Sequence, residues 1–120
     1  MGTWYSLSVR IISRSTLTRF LKRLEGHKDH RALKSALDSW FQEVRQADWK
    51  NPSEIRASYA RASFIGPDRV VFNIKGNSYR LVVAVDYGRG TVFIKWLGTH
   101  QEYDAIDVRT IPYASEADQD

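Results

Sequence analysis

The chain contains no cysteine, which excludes disulfides, thiolate catalysis and any cysteine-held zinc or iron–sulfur centre. No stretch approaches the roughly 20 consecutive apolar residues that a bilayer-crossing helix requires, and no charged-then-apolar leader opens the sequence. The expectation is a soluble, cytoplasmic protein without membrane contact. Histidines are few. His27 and His30 flank Asp29, but with no further ligand in the pattern they read as a solvated joint between helices rather than a metal pair. Gly88-Arg89-Gly90 is too short for a dinucleotide fingerprint. Neither a metal nor a small-molecule cofactor is expected.

What is present fits one compact core: 120 residues of which 42% are hydrophobic, enough for a single domain and too few for two. The formal net charge is +4, and three acids, Glu116, Asp118 and Asp120, stand in the last five residues. Without them 18 lysines and arginines face 11 acids, a balance of +7. A small basic domain attracts phosphate-rich partners, a direction rather than an identification.

Apolar spacing predicts the elements. Val9, Ile11 and Ile12 are β-prone; Ser13 or Ser15 then caps a helix carrying Leu17, Phe20, Leu21 and Leu24, ended near Gly26. Asp29 is the candidate cap of a longer helix with Leu33, Leu37, Trp40, Phe41 and Val44 on one face. Asn51-Pro52-Ser53-Glu54 has the layout of a short third helix start. From Ser63 onward the composition turns to valine, isoleucine and aromatics, with strand alternation over Val70–Ile74 and Tyr79–Val85 around a Gly76-Asn77 turn. Thr91 to Leu97 reads as another strand, followed by a polar segment, Thr99 to Asp104. Helices first and a meander second define an α+β domain, two N-terminal helices on a largely antiparallel sheet of three to four strands.

Register turns this pattern into a surface. A two-residue loop sets Asn73 opposite Arg80 and Phe72 opposite Leu81. Phe72, Ile74, Tyr79 and Leu81 then face the helices, while Asn73, Lys75 and Arg80 gather on the other side. In the next hairpin a two- or four-residue loop pairs Val82 with Lys95, adding a third cation, whereas a three-residue loop puts Trp96 there. The first is favoured, because Val92, Ile94 and Trp96 would then all face the helices. A polar sheet face is ordinarily just solvated. Its concentration of cations beside Thr99-His100-Gln101-Glu102-Tyr103-Asp104 is what suggests chemistry.

RNA carries its own nucleophile, the 2′-hydroxyl, so a protein can cut it by supplying a base, an acid and cations for the charge that builds on the phosphoryl oxygens. Arg80 suits the cationic role, since its planar fork holds two oxygens at once, with Lys75 and Lys95 as point charges around it. His100 can act as acid or base, because imidazole ordinarily titrates near neutrality. Tyr103 or Asp104 can supply the complementary group.

Ala62-Ser63-Phe64, Arg69-Val70-Val71-Phe72-Asn73-Ile74-Lys75-Gly76-Asn77, Tyr79-Arg80-Leu81-Val82-Val83, Gly98-Thr99-His100 and Glu102-Tyr103-Asp104, in this order, resemble the HigB toxin family of the RelE-like superfamily. Ala47-Asp48-Trp49-Lys50 and Arg10-Ile11-Ile12-Ser13 extend the resemblance, which spans most of residues 9–111. It implies a RelE-like fold and an mRNA interferase, an endoribonuclease acting on translated mRNA, commonly on the ribosome, and restrained by a HigA-type helix-turn-helix antitoxin. It also implies that Arg80, the arginine after the tyrosine of the second hairpin strand, contacts the scissile phosphate. Where RelE has lysines before the turn this chain has Asn73 and Lys75, and where RelE has an arginine after the last long strand it has His100, so acid and base stay unassigned.

On this reading Arg80, His100 and Tyr103 are the catalytic candidates, and Asn73, Lys75, Lys95 and Asp104 the substrate-binding ones. Residues 1–8 form an N-terminal extension of native or non-native origin, 9–111 the toxin-like domain, and 112–120 an acidic tail. The alternative is a non-catalytic RNA-binding or protein-interaction module using the same basic face. A base-stacking module needs exposed aromatics, and the hairpin aromatics Phe72 and Tyr79 fall on the packed side.

Overall fold

A computed structural model describes residues 10–107; the extension at 1–8 and the tail at 112–120 lie outside the described residues. The order of elements is β1 (Arg10–Ile12), α1 (Arg14–Arg23), α2 (His30–Gln46), α3 (Pro52–Ser58), β2 (Ser63–Ile65), β3 (Arg69–Ile74), β4 (Tyr79–Asp86), β5 (Thr91–Thr99) and α4 (His100–Asp104). Local chemistry sets the helix starts. Ser13 accepts from the Ser15 amide to open α1, and Asn51 accepts from Glu54 N–H ahead of Pro52 to open α3. Asp29 precedes α2 but makes no capping bond; its carboxylate is used elsewhere.

The strands form one five-stranded sheet in the order β1-β5-β4-β3-β2. The domain is α+β, as expected, but the sheet is mixed and wider than the three to four strands predicted. β1 runs parallel to β5 at one edge, Ile11 beside Val92, and the short β2 pairs antiparallel with β3 at the other. Both edge strands are three residues long; β1 answers to the β-prone stretch expected there, whereas β2 is too short for alternation to announce it. Four helices stand among the described residues: the two expected N-terminal ones, the short third that begins at Asn51-Pro52 as expected, and α4, where the sequence suggests only a polar segment.

Between the sheet and α1–α3 lies the main core, whose centre is aromatic. Phe72 lies near-parallel to Trp49 with ring centroids 6.1 Å apart, and meets Trp40 and Tyr59 edge-on. Leu33, Val44, Ile55, Leu81 and Val83 are fully buried around it. This packing fixes which side of the sheet is covered, and so which side remains for chemistry.

The second hairpin departs from a simple ladder. Val83 pairs with Ile94, as a four-residue loop requires, but Val82 pairs with Trp96, so Lys95 is an extra residue in a β-bulge. The expected pairing of Val82 with Lys95 is thereby overturned. Trp96 does not face the helices; with Tyr103 and Ile65 it packs on Val71 and Val82, a separate cluster on the opposite side of the sheet. Gly98 makes this possible. A side chain there would meet the indole at 2.4 Å and Glu102 at 2.9 Å, so the Trp96 ring lies directly against the glycine.

Candidate functional site

The open face of the sheet ends where β4 begins and β5 stops. Asn73, Arg80 and Gly98 form one row across β3, β4 and β5. The Arg80 guanidinium donates to the carbonyl of Asn77 in the turn at 2.9 Å and meets His100 Nδ1 at 2.8 Å. A guanidinium only donates, so His100 Nδ1 is the acceptor and the imidazole proton sits on Nε2. That Nε2 faces Asp104 Oδ2 at 3.6 Å, too long for a direct hydrogen bond. Arg80, His100 and Asp104 thus form a short polar chain.

His100 is held there by a helix that sequence reasoning read only as a polar segment. Thr99 accepts from the Glu102 amide while the Glu102 carboxylate accepts from the Thr99 amide, a complete capping box for α4. The Thr-x-x-Glu spacing that makes it is visible in the sequence and could have revealed the helix. Glu102 also receives both hydrogen bonds of Arg23 at 3.1 Å, tying α4 to the end of α1. The backbone N–H of Thr99 foremost, then Arg23, holds the Glu102 carboxyl below its ordinary range despite partial burial.

Of the remaining candidates, the structure brings some near and removes others. Asn73 lies directly opposite Arg80. Asp104 is four residues on from His100 along α4, and Tyr103 three, its ring 6.1 Å from that of Trp96. Lys75 is not with them. Its backbone is left-handed (φ 54), which breaks the alternation of β3, and its ammonium pairs with Asp29 at 3.5 Å on the helix side. Lys95 is likewise elsewhere, buried in the bulge with its ammonium over the Phe93 ring. Burial first, then the charge of Arg69, pushes its amine down to about 8. The expected convergence of three cations therefore reduces to one arginine and one imidazole.

Asp29 organises the underside of this site. It accepts from the Tyr79 hydroxyl at 2.9 Å while pairing with Lys75, so the α1–α2 joint grips both sides of the hairpin turn that leads into Arg80. Burial and then this bond push the Tyr79 phenol up to about 12, while the same bond, and Lys75, hold the Asp29 carboxyl low.

The two depressed carboxylates set a direction for acid stability. As pH falls, the unfolded chain takes up their protons first, near the ordinary carboxylate values of about 4, so the stability they add is present above that pH and lost below it. Thermal unfolding followed from pH 6 to pH 3 is expected to show a smaller fall in Tm for Glu102→Gln and for Asp29→Asn than for the parent. A parallel fall in all three would contradict the assignment.

The chain is a basic α+β domain with an arginine and an imidazole joined over the uncovered end of its sheet. Residues 33–106 match the family of HigB toxins, described as the RelE-like toxic component of a toxin–antitoxin system. The match takes in more than half of the chain, from within α2 through α4, and the chain belongs to this family. Its partner is accordingly an antitoxin. β1 and α1 fall outside the match, which is narrower than the resemblance over residues 9–111. Among curated proteins none gives a significant match. No described helix is long and apolar enough to cross a membrane, and no three His, Asp or Glu side chains come together as metal ligands among the described residues.

Proposed function

We propose that the protein is an mRNA interferase: a cytoplasmic endoribonuclease that cuts translated mRNA by attack of the 2′-hydroxyl on the adjacent phosphate, acts at the ribosome, and is silenced by a HigA-type helix-turn-helix antitoxin. The observation that carries this reading is the 2.8 Å contact between Arg80 and His100 Nδ1 on the open face, in a chain of the toxin family. One residue supplies a permanent cation for the phosphoryl oxygens and the other a proton carrier within reach of the same phosphate.

The resting contacts suggest how the pair is engaged. Arg80 is the donor to His100 Nδ1, so that nitrogen is blocked while the contact lasts. A phosphate offers the guanidinium a charged, two-oxygen acceptor in place of a neutral ring nitrogen. When Arg80 turns to the phosphate, Nδ1 is released to accept the 2′-hydroxyl proton, and the leaving 5′-oxygen, on the opposite side of phosphorus, takes its proton from the complementary group, Tyr103 or Asp104. Asp104 Oδ2 lies 3.6 Å from Nε2, and Tyr103 lies beside His100, three residues on along α4. Asn73, opposite Arg80, is placed to bind a ribose or phosphate oxygen.

The test is the chemistry of the cut ends. Attack by the 2′-hydroxyl leaves a 2′,3′-cyclic phosphate or 3′-phosphate and a free 5′-hydroxyl, so mapping reporter-transcript fragments from a translating extract is expected to find 5′-hydroxyl ends. His100→Ala is expected to slow their appearance by about 10²–10⁴-fold, the usual range for general acid–base groups. Fragments carrying 5′-phosphates, or undiminished cutting by His100→Ala, would refute the mechanism.

A further inference from the structure

The open face is not uniformly polar, and its apolar part adjoins the Arg80 site. Val71 and Val82 are buried on that face under Ile65, Trp96 and Tyr103. Arg80 lies directly opposite Gly98 on the neighbouring strand, and the Trp96 six-membered ring lies against Gly98, at 2.4–2.6 Å from where a Cβ would stand. The indole therefore sits about one strand spacing, roughly 5 Å, from the Arg80 backbone. Tyr103 borders it at 6.1 Å with the rings inclined at 53°, on the same helix face as His100. Both aromatics remain partly exposed.

We propose that Trp96, flanked by Tyr103, is a stacking platform for a nucleobase of the RNA strand whose phosphate is held by Arg80. This rests on the reading of Arg80 as the phosphate ligand, and adds a base subsite to it. The occupant follows from what adjoins the platform. An aromatic plane accepts any base through its π-face, and a cation at one strand's distance selects the strand that carries bases on a phosphate backbone. The device also gives a role to the bulge at Lys95 and to the bare backbone of Gly98. The first turns Trp96 to the open face, and the second leaves the space against which its ring lies. Glu102 bounds the platform on the α4 side, its carboxylate held by Arg23, so that its charge is offset where a phosphate backbone would pass.

The experiment uses the full chain and short 2′-O-methyl oligonucleotides, in which the attacking hydroxyl is blocked, so that binding is read without cleavage. Calorimetry compares an oligonucleotide bearing all its bases with two that are abasic on either side of the central phosphate. One abasic substitution is expected to weaken binding about tenfold, within the range that base–aromatic stacking supplies. Trp96→Leu is expected to weaken the complete oligonucleotide by the same factor, and to leave that abasic one unchanged. Trp96→Phe should restore most of the difference, and Arg80→Ala should weaken all three alike. Equal affinity of the parent for complete and abasic strands, absence of any binding, or equal loss by Trp96→Leu on every strand would overturn the platform. Base-dependent binding together with an absence of 5′-hydroxyl fragments would retire the nuclease reading and leave the platform standing.

Discussion

Arg80→Ala is expected to reduce RNA cleavage by about 10²–10³-fold, the usual cost of removing one preorganised donor to a developing oxyanion, with little change in thermal stability. The small stability effect follows from exposure. The bonds that Arg80 makes, to Asn77 O and His100 Nδ1, lie at the partly open end of the sheet, where water replaces what the side chain leaves, so their loss stays within about 0.5 kcal/mol. Arg80→Lys separates charge from geometry. A lysine keeps the cation but not the planar fork that grips two oxygens and reaches His100 at the same time, so it is expected to recover only a minor part of the rate. The fragment-end assay in a translating extract measures both variants. Wild-type cutting by Arg80→Ala, in a protein with unchanged Tm, would remove the arginine from the mechanism.

The elements that position this arginine were legible because they obey local rules. Residues with helical spacing did pack the helices, the Gly76-Asn77 turn did place Asn73 opposite Arg80, and Phe72 and Tyr79 do face the helices. Arg80 was read from the hairpin register and His100 from the polar segment after β5, and the two meet at 2.8 Å. The misplaced residues are those where alternation breaks. A left-handed backbone at Lys75 turned an expected phosphate ligand into a partner of Asp29, and neither composition nor period announces a lysine at positive φ. One extra residue in β5 moved Trp96 across the sheet, since a single-residue slip exchanges faces. The signal that could have warned of it is Gly98, whose missing side chain provides the space the indole occupies. Asp29, read as a helix cap, serves the hairpin because Tyr79 and Lys75 arrive from 50 and 46 positions away, a proximity that only the fold creates.

The largest stability effect is expected at Phe72, which lies beneath the site without touching it. Its ring is 1% exposed and is shared by Trp40, Trp49 and Tyr59 at centroid distances of 5.0–6.1 Å, so three helical-side aromatics lose a common neighbour if it is cut back. Rigid neighbours of that size do not collapse into the space, and Phe72→Ala is expected to cost about 3–5 kcal/mol, a large fraction of the ~5–15 kcal/mol that holds a domain of this size together. At a few degrees per kcal/mol the midpoint should fall by more than ~10 °C. Phe72 stands between Val71 and Asn73 on β3, yet its side chain points away from the face that carries Asn73 and Arg80. Measured well below its lowered midpoint, Phe72→Ala should therefore retain most of the cleavage rate. Calorimetry and fragment mapping on the same samples distinguish the two lesions: Arg80→Ala loses rate at constant Tm, whereas Phe72→Ala loses Tm at near-constant rate. A Phe72→Ala protein that keeps its midpoint would mean that the aromatic cluster is not the centre of the core, and one that is inactive while still folded would mean that the covered and uncovered sides of the sheet are coupled more tightly than their packing indicates.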